Sequence, residues 1–395
     1  MLSVAEAQAR IVERVTRLAE EDVSIGEAQG RVIARDVVAT RALPGFDQSA
    51  MDGFALRAAE TPGTLPVGGT IAAGARDVGA LTEQTAVRIM TGAPMPPGAD
   101  CVVIFEDAQV ADGAVTVPRA AIGDNVRRRG EDVAIGDRVI ERGARIEAGE
   151  LGLLAALGFA RVPCGRAPVV AIVATGDELV SIEDEPCAGE VVDSSAYALA
   201  AQIRDAGGVP VYLGIARDDR ATVTAMIERA LAHDVVVTTG GVSAGDRDYV
   251  RDALADAGVE PDFWKVAMKP GKPLAFGTRD RTPVFGLPGN PVSSMVAFEL
   301  FARPALLAMQ GAASLMRPRA PVILERGYHK PAGRAHYLRA RVHRNGVGMI
   351  AVPHVKQGSH ALTSMIGVDA LVEIGANVTE IPPGGTAPAI LLRLV

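Results

Sequence analysis

The sequence predicts a multidomain protein of mixed α/β and β class, built around a central doubly wound α/β domain. From residue 169 onwards, apolar stretches at 169–174, 209–215 and 235–239 alternate with helical stretches at 193–206, 220–232 and 248–257. Strands that are apolar on both faces are typical of a parallel sheet covered by helices on both sides. The regions before and after this stretch carry β patterns, and 395 residues are enough for two to four domains.

The first element is predicted to be a helix. Ser3 and Glu6 have the spacing of a capping box, and Ile11, Val15 and Leu18 form an amphipathic stripe. The pattern differs from that of a signal peptide, so we expect a helix that docks onto the mature protein.

A mainly β region follows this helix. Residues 25–145 are rich in glycine and proline, and short apolar runs at 87–90 and 101–105 read as strands. A short helix is expected at about 147–157, before the central pattern begins.

The end of the central stretch and the C-terminal region are predicted from the same signals. Residues 264–277 and 283–287 read as extended, and Asn290 is expected to cap a long helix with Pro291 at its first position. From about residue 320 the pattern returns to β, with candidate strands at 322–324, 336–342, 348–352 and 389–395.

Composition excludes several classes of function. The net charge of −7 and the aromatic content of 4% argue against a nucleic-acid-binding surface. The three cysteines are far apart, which argues against a disulfide framework or a zinc site and predicts a cytoplasmic protein. No uninterrupted apolar run approaches the length of a membrane span. Five of the six histidines lie between 329 and 360, and we assign no metal there.

Six segments combine glycine, proline, acidic and basic residues. They are Pro-Gly-Phe-Asp-Gln-Ser-Ala-Met-Asp-Gly at 44–53, Arg-Arg-Arg-Gly-Glu-Asp at 127–132, Ala-Thr-Gly-Asp-Glu-Leu at 174–179, Thr-Thr-Gly-Gly-Val-Ser-Ala-Gly-Asp-Arg-Asp-Tyr at 238–249, Lys-Pro-Gly-Lys-Pro at 269–273 and Gly-Leu-Pro-Gly-Asn-Pro at 286–291. Glycine lets a backbone approach a ligand, lysine and arginine hold an anion, and carboxylates hold a hard cation. The combination predicts a phosphorylated substrate handled with a metal ion. Four of the segments fall at strand ends, where ligands of such sheets bind.

The loop after residue 237 is the strongest single signal. Backbone N–H groups around Gly240 and Gly241 could form an anion-binding nest before the next helix. Asp248 then has two interpretations, a helix cap or a ligand to a cation. The alternative for the whole segment is an ordinary connection between a strand and a helix.

Lys265, Lys269 and Lys272 place three ammonium groups within eight residues. One interpretation is a solvated edge hairpin whose lysines discourage aggregation. The neighbouring prolines and Gly271 stiffen the backbone, however, and fixed lysines suit a pyrophosphate better than a mobile edge does.

The turn at 286–291 precedes a helix whose N-terminus carries free N–H donors, although ordinary capping explains it equally well. No Gly-Lys-Ser or Gly-Lys-Thr follows such a turn, which excludes a P-loop ATPase. Carboxylates from separate segments could converge on one magnesium ion, whereas each alone is better explained as a cap or a solvated side chain. These carboxylates are Asp47, Asp52, Asp132, Asp177, Glu178 and Asp248.

Together the motifs closely resemble one family, the molybdopterin molybdenumtransferases, known as MoeA in bacteria and as the gephyrin E domain in animals. The resemblance runs nearly from end to end, and its joint order of motifs is highly specific. Gln48 and Phe54 depart from it, since asparagine and tyrosine are expected there. The matching segments are 46–53, 88–94, 127–132, 238–241 with Asp248 and Tyr249, 269–273, 286–291 and 357–360.

The resemblance implies four structural domains. Residues 1–40 plus 146–167 would form an N-terminal helical and linker region, and 41–145 a β-rich second domain. Residues 168–318 would form the α/β molybdopterin-binding domain, and 319–395 a C-terminal β-barrel-like domain. It also implies an elongated homodimer, with the site between the central domain of one subunit and the second domain of its partner.

The implied reaction converts adenylylated molybdopterin and molybdate into molybdenum cofactor and AMP, with Mg²⁺. The residue types in the motifs agree with this reaction, because cleaving a pyrophosphate requires lysines and a hard cation to neutralise charge. By resemblance, Asp52, Asp132 and Asp248 would hold magnesium or orient molybdate, and Lys269 and Lys272 would complete the catalytic set. The substrate-binding residues implied are Thr91, Glu178, Asp218, Gly240, Gly241, Ser243, Lys265, Pro288, Pro291, Arg334 and Ser359.

The resemblance also implies macromolecular partners, namely a molybdopterin adenylyltransferase and the acceptor molybdoenzymes, with neither nucleic acid nor membrane among them. The sequence leaves three alternative functions. A pterin-binding scaffold is disfavoured because no fused partner domain supplies multivalency. The adenylyltransferase step itself is disfavoured by the extra 160 residues before Val169. A non-catalytic paralogue is disfavoured by the intact acidic and lysine motifs.

Overall fold

The computed structural model describes residues 1–242, 249–346 and 348–393. Ser243 and Asp248, both predicted site residues, lie outside the described residues. The predicted fold class is confirmed: a central α/β sheet is joined to a β-rich region and a closed C-terminal barrel.

The chain begins with the predicted helix, α1 (Val4–Arg14). The Ser3 side chain accepts a hydrogen bond from the Glu6 N–H, and the Glu6 carboxylate accepts one from the Ser3 N–H, which completes the capping box. Val4, Ala7 and Ile11 are buried against the central domain. The strands that follow are β1 (Glu20–Ser24) and β2 (Val37–Val38).

The region from 41 to 145 is mainly β, as predicted. Its main sheet has the strand order β7-β4-β6-β5-β9-β8, while β3 pairs with β10 and β11 with β2. The strands are β3 (Gln48–Ser49), β4 (Gly53–Leu56), β5 (Gly63–Ile71), β6 (Ala86–Ile89), β7 (Cys101–Ile104), β8 (Gln109–Ala111), β9 (Ala114–Val117), β10 (Val126–Arg127) and β11 (Arg138–Ile140).

Two elements then lead back to the centre. The helix α2 (Ala148–Ala156) lies within the predicted stretch, and β12 (Arg161–Gly165) pairs antiparallel with β1. Residues of β1, β12 and α2 share one hydrophobic cluster, so the two ends of this part of the chain pack together.

The central sheet has the strand order β16-β13-β17-β21-β20-β18. Its four strands from β16 to β21 are parallel, and β20 and β18 continue the sheet antiparallel. The chain leaves β13 towards one edge and returns to β17 on the other side, so the switch point lies between β13 and β17. The strands are β13 (Val169–Thr175), β16 (Val209–Ala216), β17 (Val235–Thr239), β18 (Glu260–Lys265), β20 (Pro273–Arg279) and β21 (Thr282–Leu287).

Helices cover both faces of this sheet. One face packs against α1, α3 and the long helix after Asn290, and the other packs against α4 and α5. Three short strands, β14 (Leu179–Val180), β15 (Val191–Val192) and β19 (Met268–Lys269), lie at its loops. The helices are α3 (Ser195–Asp205), α4 (Arg220–Ala230), α5 (Tyr249–Asp256), α6 (Pro291–Ala297) and α7 (Arg303–Gln310).

The long helix predicted after Asn290 consists of α6, a π-helical stretch at Phe298–Ala302, and α7. By length and composition alone Pro291–Gln310 could cross a membrane, but 89% of its most apolar window is buried inside the structure. It is therefore the core helix of the central domain. Asn290 stands at the N-cap position, yet its side chain makes no capping hydrogen bond.

The C-terminal strands close into a barrel, in the order β24-β25-β22-β28-β26 and back to β24. A strand at β26 was not predicted, and it is the one that closes the ring between β24 and β28. The last strand was predicted at 389–395, and the observed strand, β28, spans Thr386–Leu391. The strands are β22 (Arg319–Leu324), β23 (Tyr328–His329), β24 (Ala335–Asn345), β25 (Gly348–Pro353), β26 (Ala370–Ile374), β27 (Glu380–Ile381) and β28 (Thr386–Leu391).

Candidate active site

A cleft of about 670 Å³ opens at the carboxyl ends of β13 and β17. This is the switch point of the sheet, where ligands of such folds bind. Six predicted site residues line it: Glu178, Asp218, Gly240, Gly241, Pro288 and Pro291. The remaining walls come from the loops after β13, β15 and β21, and from Pro273 at the start of β20.

Two glycines let the loop after β17 lie against the loop after β13. Gly240 has φ +97°, and a Cβ there would lie 2.3 Å from the carbonyl oxygen of Thr175. Gly241 has φ +64°, and a Cβ there would lie 2.2 Å from Val250 Cγ2. Both conformations disfavour other residues, so glycine is required for this close approach.

The loop after β13 carries the acidic side of the cleft. Gly176 leaves room for the Glu178 carboxylate, which would lie 2.7 Å from a Cβ at that position. Asp177 points elsewhere, since its carboxylate accepts a hydrogen bond from the Asp218 N–H at 3.0 Å. The loops holding Glu178 and Asp218 are thereby tied together.

Two buried threonine hydroxyls at the strand ends have no hydrogen-bond partner in the described part of the chain. Thr175 is 4% exposed and lines the cleft, and Thr238 is fully buried next to it in the sheet. Both hydroxyl oxygens are themselves buried, so neither is open to the cleft.

The opposite wall is the start of α3. Ser194 and Ser195 line the cleft, and the Ser195 hydroxyl donates to the carbonyl of Gly289 at 3.4 Å. Asp193, 2% exposed, accepts hydrogen bonds from the Ala196 N–H at 3.1 Å and the Tyr212 hydroxyl at 2.9 Å. The turn carrying Pro288 is thus joined to the first turn of this helix.

The three predicted lysines are exposed on one hairpin beside the cleft. Lys265 pairs in register with Pro273, and the Val266 N–H donates to the Lys272 carbonyl at 3.1 Å. Because Pro273 lines the cleft, Lys272 is attached directly to its rim. Lys269 lies at the far end of the hairpin, where β19 pairs with the barrel strand β24 opposite His336.

Positive charge is concentrated where this hairpin meets the barrel. Burial, reinforced by the charges of Lys269, Lys330 and Arg334, lowers the pKa of His336 to about 4. Lys330 is 2% exposed and donates to the carbonyls of Pro331, Arg334 and Ala376. The structure therefore brings the predicted residues Lys269 and Arg334 together at this joint, outside the cleft lining.

Ser359 is held at the N-terminus of α6, where its carbonyl accepts a hydrogen bond from the Val292 N–H at 3.3 Å. Its loop is fixed by Arg339, which is 1% exposed. The Arg339 guanidinium donates to the carbonyls of Lys356 and Gly358 and to the Ser364 hydroxyl. Burial lowers the pKa of Arg339 to about 10.

The β-rich region at 41–145, called the second region below, carries three more of the predicted acidic residues. The Asp52 carboxylate accepts hydrogen bonds from the N–H and the hydroxyl of Thr91, both at 2.7 Å, and these bonds lower the pKa of Asp52. Asp47 accepts from the Arg129 N–H at 2.8 Å and from the Arg128 guanidinium at 2.7 Å. Asp132 is exposed, and its N–H donates to the Leu43 carbonyl at 3.0 Å.

The structure thus gathers the predicted residues into three places. Asp52, Thr91 and Asp132 lie in the second region, and neither Asp52 nor Asp132 lines the cleft. Within the described residues, no three His, Cys, Asp or Glu side chains lie close enough to hold a metal ion. The magnesium assignment to Asp52, Asp132 and Asp248 stays a prediction, although carboxylate oxygens are the donors that this ion prefers.

Sequence reasoning overlooked Thr175, Asp193 and Arg339. Thr175 precedes a glycine at a strand end, which is the same signal that identified Gly240. Asp193 begins the helical stretch predicted at 193–206, but its burial and its contact with Tyr212 have no signature in the sequence. Arg339 lies in an apolar strand pattern, and a charged residue there predicts a buried partner or an internal site.

Family models match three successive parts of the chain. Residues 2–158 match the MoeA N-terminal region (domain I and II), residues 171–308 a probable molybdopterin binding domain, and residues 321–392 the MoeA C-terminal region (domain IV). The order and extent of these matches agree with the resemblance found in the motifs.

Similar proteins cover almost the whole chain. "Molybdopterin molybdenumtransferase 2" of Mycobacterium tuberculosis is 38% identical, over 97% of this chain and 98% of its own length. "Molybdopterin molybdenumtransferase" of Haemophilus influenzae is 34% identical, over 98% and 97%. A crystal structure of the molybdopterin biosynthesis MoeA protein from Pyrococcus horikoshii superposes with a TM-score of 0.85 at 28% identity, covering 99% of this chain and 100% of that one. With this glycine-built cleft, the lysine hairpin and nearly full-length matches at more than 30% identity, the chain belongs to the MoeA family.

Proposed function

We propose that this protein is a molybdopterin molybdenumtransferase of molybdenum cofactor biosynthesis. It binds adenylylated molybdopterin, transfers molybdate to the dithiolene sulfurs and releases AMP. One observation carries the proposal most directly. The cleft at the β13/β17 switch point has glycine loops for close approach, and a hairpin with three exposed lysines adjoins it through Pro273.

Binding of the organic part falls to the cleft. Glu178 and Asp218 offer acceptors to the donor groups of a pterin, while Gly240 and Gly241 let that ring approach the backbone. Pro288 and Pro291 give the facing wall a fixed shape. We infer that molybdopterin is oriented here before any bond changes.

Stabilisation of the diphosphate falls to the hairpin. Cleavage of a phosphoanhydride spreads negative charge over the phosphate oxygens, and ammonium groups in fixed positions stabilise that charge. Lys272 is adjacent in sequence to Pro273, which lines the cleft. Lys265 pairs with Pro273 on the opposite strand of the hairpin. Lys269 and Arg334, with Ser359 nearer α6, form the approach by which the second anion, molybdate, would arrive.

Mg²⁺ is proposed as the metal. Asp52, Asp132 and Asp248 would hold it, because carboxylates are hard oxygen donors and Asp52 keeps one oxygen free of the Thr91 contacts. When bound, this ion would neutralise charge on the phosphate oxygens. Thr91 orients the Asp52 carboxylate and lowers its pKa through two hydrogen bonds.

A homodimer would complete the site. The hydrogen bonds of Asp47 and Asp52 stay within the second region, and the cleft is lined by residues of the central domain. In the proposed dimer, the second domain of a partner subunit reaches the cleft of the first. We propose that the Asp52 of one subunit acts with the Lys272 of the other, in the cytoplasm, between an adenylyltransferase that supplies the substrate and molybdoenzymes that accept the product.

The activity is tested by incubating the protein with adenylylated molybdopterin, molybdate and Mg²⁺, and following AMP release together with reconstitution of a cofactor-free molybdoenzyme. Turnover by the parent protein and its loss in Asp52→Asn are expected. The matched control is Asp77→Asn, in the same region but outside the acidic motifs, which should retain turnover. Binding of the pterin without any AMP release would instead favour the non-catalytic paralogue.

The shared site is tested by mixing two inactive variants, Asp52→Asn and Lys272→Ala. In a mixed dimer one site carries both changes and the other carries none, so random exchange of subunits restores about a quarter of the parental activity. No recovery after subunit exchange, checked by mass measurement of the mixed dimer, would place both residues in a site within one subunit.

A further inference from the structure

Asp193 is a buried carboxylate on the wall of the cleft. It is 2% exposed, and its N–H donates to the Val180 carbonyl at 3.0 Å, which fixes its backbone. Its two carboxylate oxygens accept from different donors, Oδ1 from the Ala196 N–H and Oδ2 from the Tyr212 hydroxyl. In the described part of the chain it forms no ion pair, so these two neutral donors satisfy a charge that would otherwise be costly to bury.

Tyr212 reaches this carboxylate from outside the cleft. It lies on β16, the edge strand of the central sheet. The residue is 39% exposed, and its ring lies 6.0 Å from the ring of Tyr197. Burial of its hydroxyl, together with the bond to Asp193, raises the pKa of Tyr212. The phenol thus remains a donor throughout the neutral range.

The contact extends to the residues that face the substrate. Asp193 anchors the first turn of α3 through the Ala196 N–H, and Ser195 in the same turn donates to the Gly289 carbonyl. Gly289 belongs to the turn between Pro288 and Pro291, which forms the facing wall. Tyr212, Asp193, Ser195 and Gly289 therefore form one chain of contacts from the outer surface to both sides of the cleft.

We propose that Tyr212 is a positioning residue that fixes the Ser194–Ser195 wall through Asp193, and thereby sets the affinity for the pterin substrate. The inference rests on the proposed function for its substrate. Whatever the substrate, loss of the Tyr212 hydroxyl removes one of the two donors that hold the Asp193 carboxylate, which anchors the first turn of α3.

The test compares Tyr212→Phe with Tyr197→Phe. The first removes a hydroxyl and keeps the ring, and the second does the same to the neighbouring tyrosine, whose hydroxyl makes no hydrogen bond among the described residues. In Tyr212→Phe we expect KM for adenylylated molybdopterin to rise about threefold to tenfold with kcat unchanged, which is the effect of weakening one hydrogen bond in binding. Tyr197→Phe should match the parent in both constants.

Hydrogen–deuterium exchange gives a readout that needs no substrate. Peptides covering residues 190–199 should exchange faster in Tyr212→Phe than in the parent or in Tyr197→Phe, because the first turn of α3 opens more often. Unchanged exchange, or a fall in kcat with KM unchanged, would overturn the inference. A parent protein that lacks turnover would refute the proposed function, whereas the exchange comparison would still decide whether Tyr212 holds this wall.

Discussion

Replacing Gly240 by alanine tests the geometry on which the cleft depends. The added Cβ would lie 2.3 Å from the Thr175 carbonyl oxygen and 2.8 Å from its hydroxyl. The nearer atom belongs to the backbone of β13, so no side-chain rotation can relieve the contact. The loops after β13 and β17 must separate, and these two loops form the floor of the cleft.

The expected cost has two parts. A non-glycine residue at φ +97° costs about 1–2 kcal/mol, and forcing an extra methyl group into a closely packed place costs about 1–3 kcal/mol more. We expect Gly240→Ala to be destabilised by about 2–5 kcal/mol in total. Gly189→Ala is the matched control, because Gly189 has φ +93° but a Cβ there would meet nothing within 4 Å. It carries the first cost without the second.

Calorimetric unfolding of both variants separates the two costs. For a domain of about 150–250 residues, a loss of about 1 kcal/mol in the free energy of unfolding lowers Tm by about 2–4 °C. Gly240→Ala should therefore unfold several degrees below Gly189→Ala. Pterin binding should also weaken in Gly240→Ala alone. Equal unfolding temperatures for the two variants would refute the close approach of these loops.

Three further predictions concern charge. Lys269→Ala should weaken binding of adenylylated molybdopterin in titration calorimetry, and unchanged affinity would contradict the role of Lys269. The variant should also raise the pKa of His336 above about 4 in an NMR titration, because one of the positive charges that add to the effect of burial is gone. Asp47→Asn should destabilise the protein at neutral pH, since the Arg129 N–H and the Arg128 guanidinium lower the pKa of Asp47. The stability that the Asp47 carboxylate contributes is present above its unfolded pKa of about 4 and is lost as the pH falls through its folded pKa. Denaturation curves of the variant and the parent should therefore converge in acid. Arg339→Ala should lower the free energy of unfolding by about 2–4 kcal/mol, because it leaves the Lys356 and Gly358 carbonyls and the Ser364 hydroxyl without their donor. The control is His343→Ala, a change at an exposed residue of the same strand, which should leave the denaturation midpoint unchanged.

Local patterns were enough to predict the central sheet. Each of its parallel strands is a short apolar run bounded by turn residues, and β17 begins and ends at the predicted residues, 235 and 239. The capping box of α1 is equally local, and both of its hydrogen bonds are present. Such signals depend on neighbours in sequence, so they can be read without knowing what packs against them.

Pairings between distant segments could not be predicted in the same way. The strand β26 is only five residues long, and its role in closing the barrel depends on β24 and β28 rather than on its own pattern. Asn290 has the right residue type for a cap, but its side chain forms no capping bond, and Ser294 instead donates its N–H to the Asn290 carbonyl. The buried charge of Arg339 is likewise satisfied by carbonyls from a loop about 20 residues away.

The pairing of β19 with β24 has a consequence for engineering this protein. The segment carrying Lys269 is hydrogen-bonded into the barrel, although it comes from the middle of the chain. A chimera that exchanged the C-terminal domain at residue 319 would place a foreign β24 beside Met268 and Lys269. Residues 266–272 should therefore be exchanged together with the barrel. They lie between β18 and β20 of the central sheet in sequence, but their strand β19 is hydrogen-bonded to the barrel strand β24.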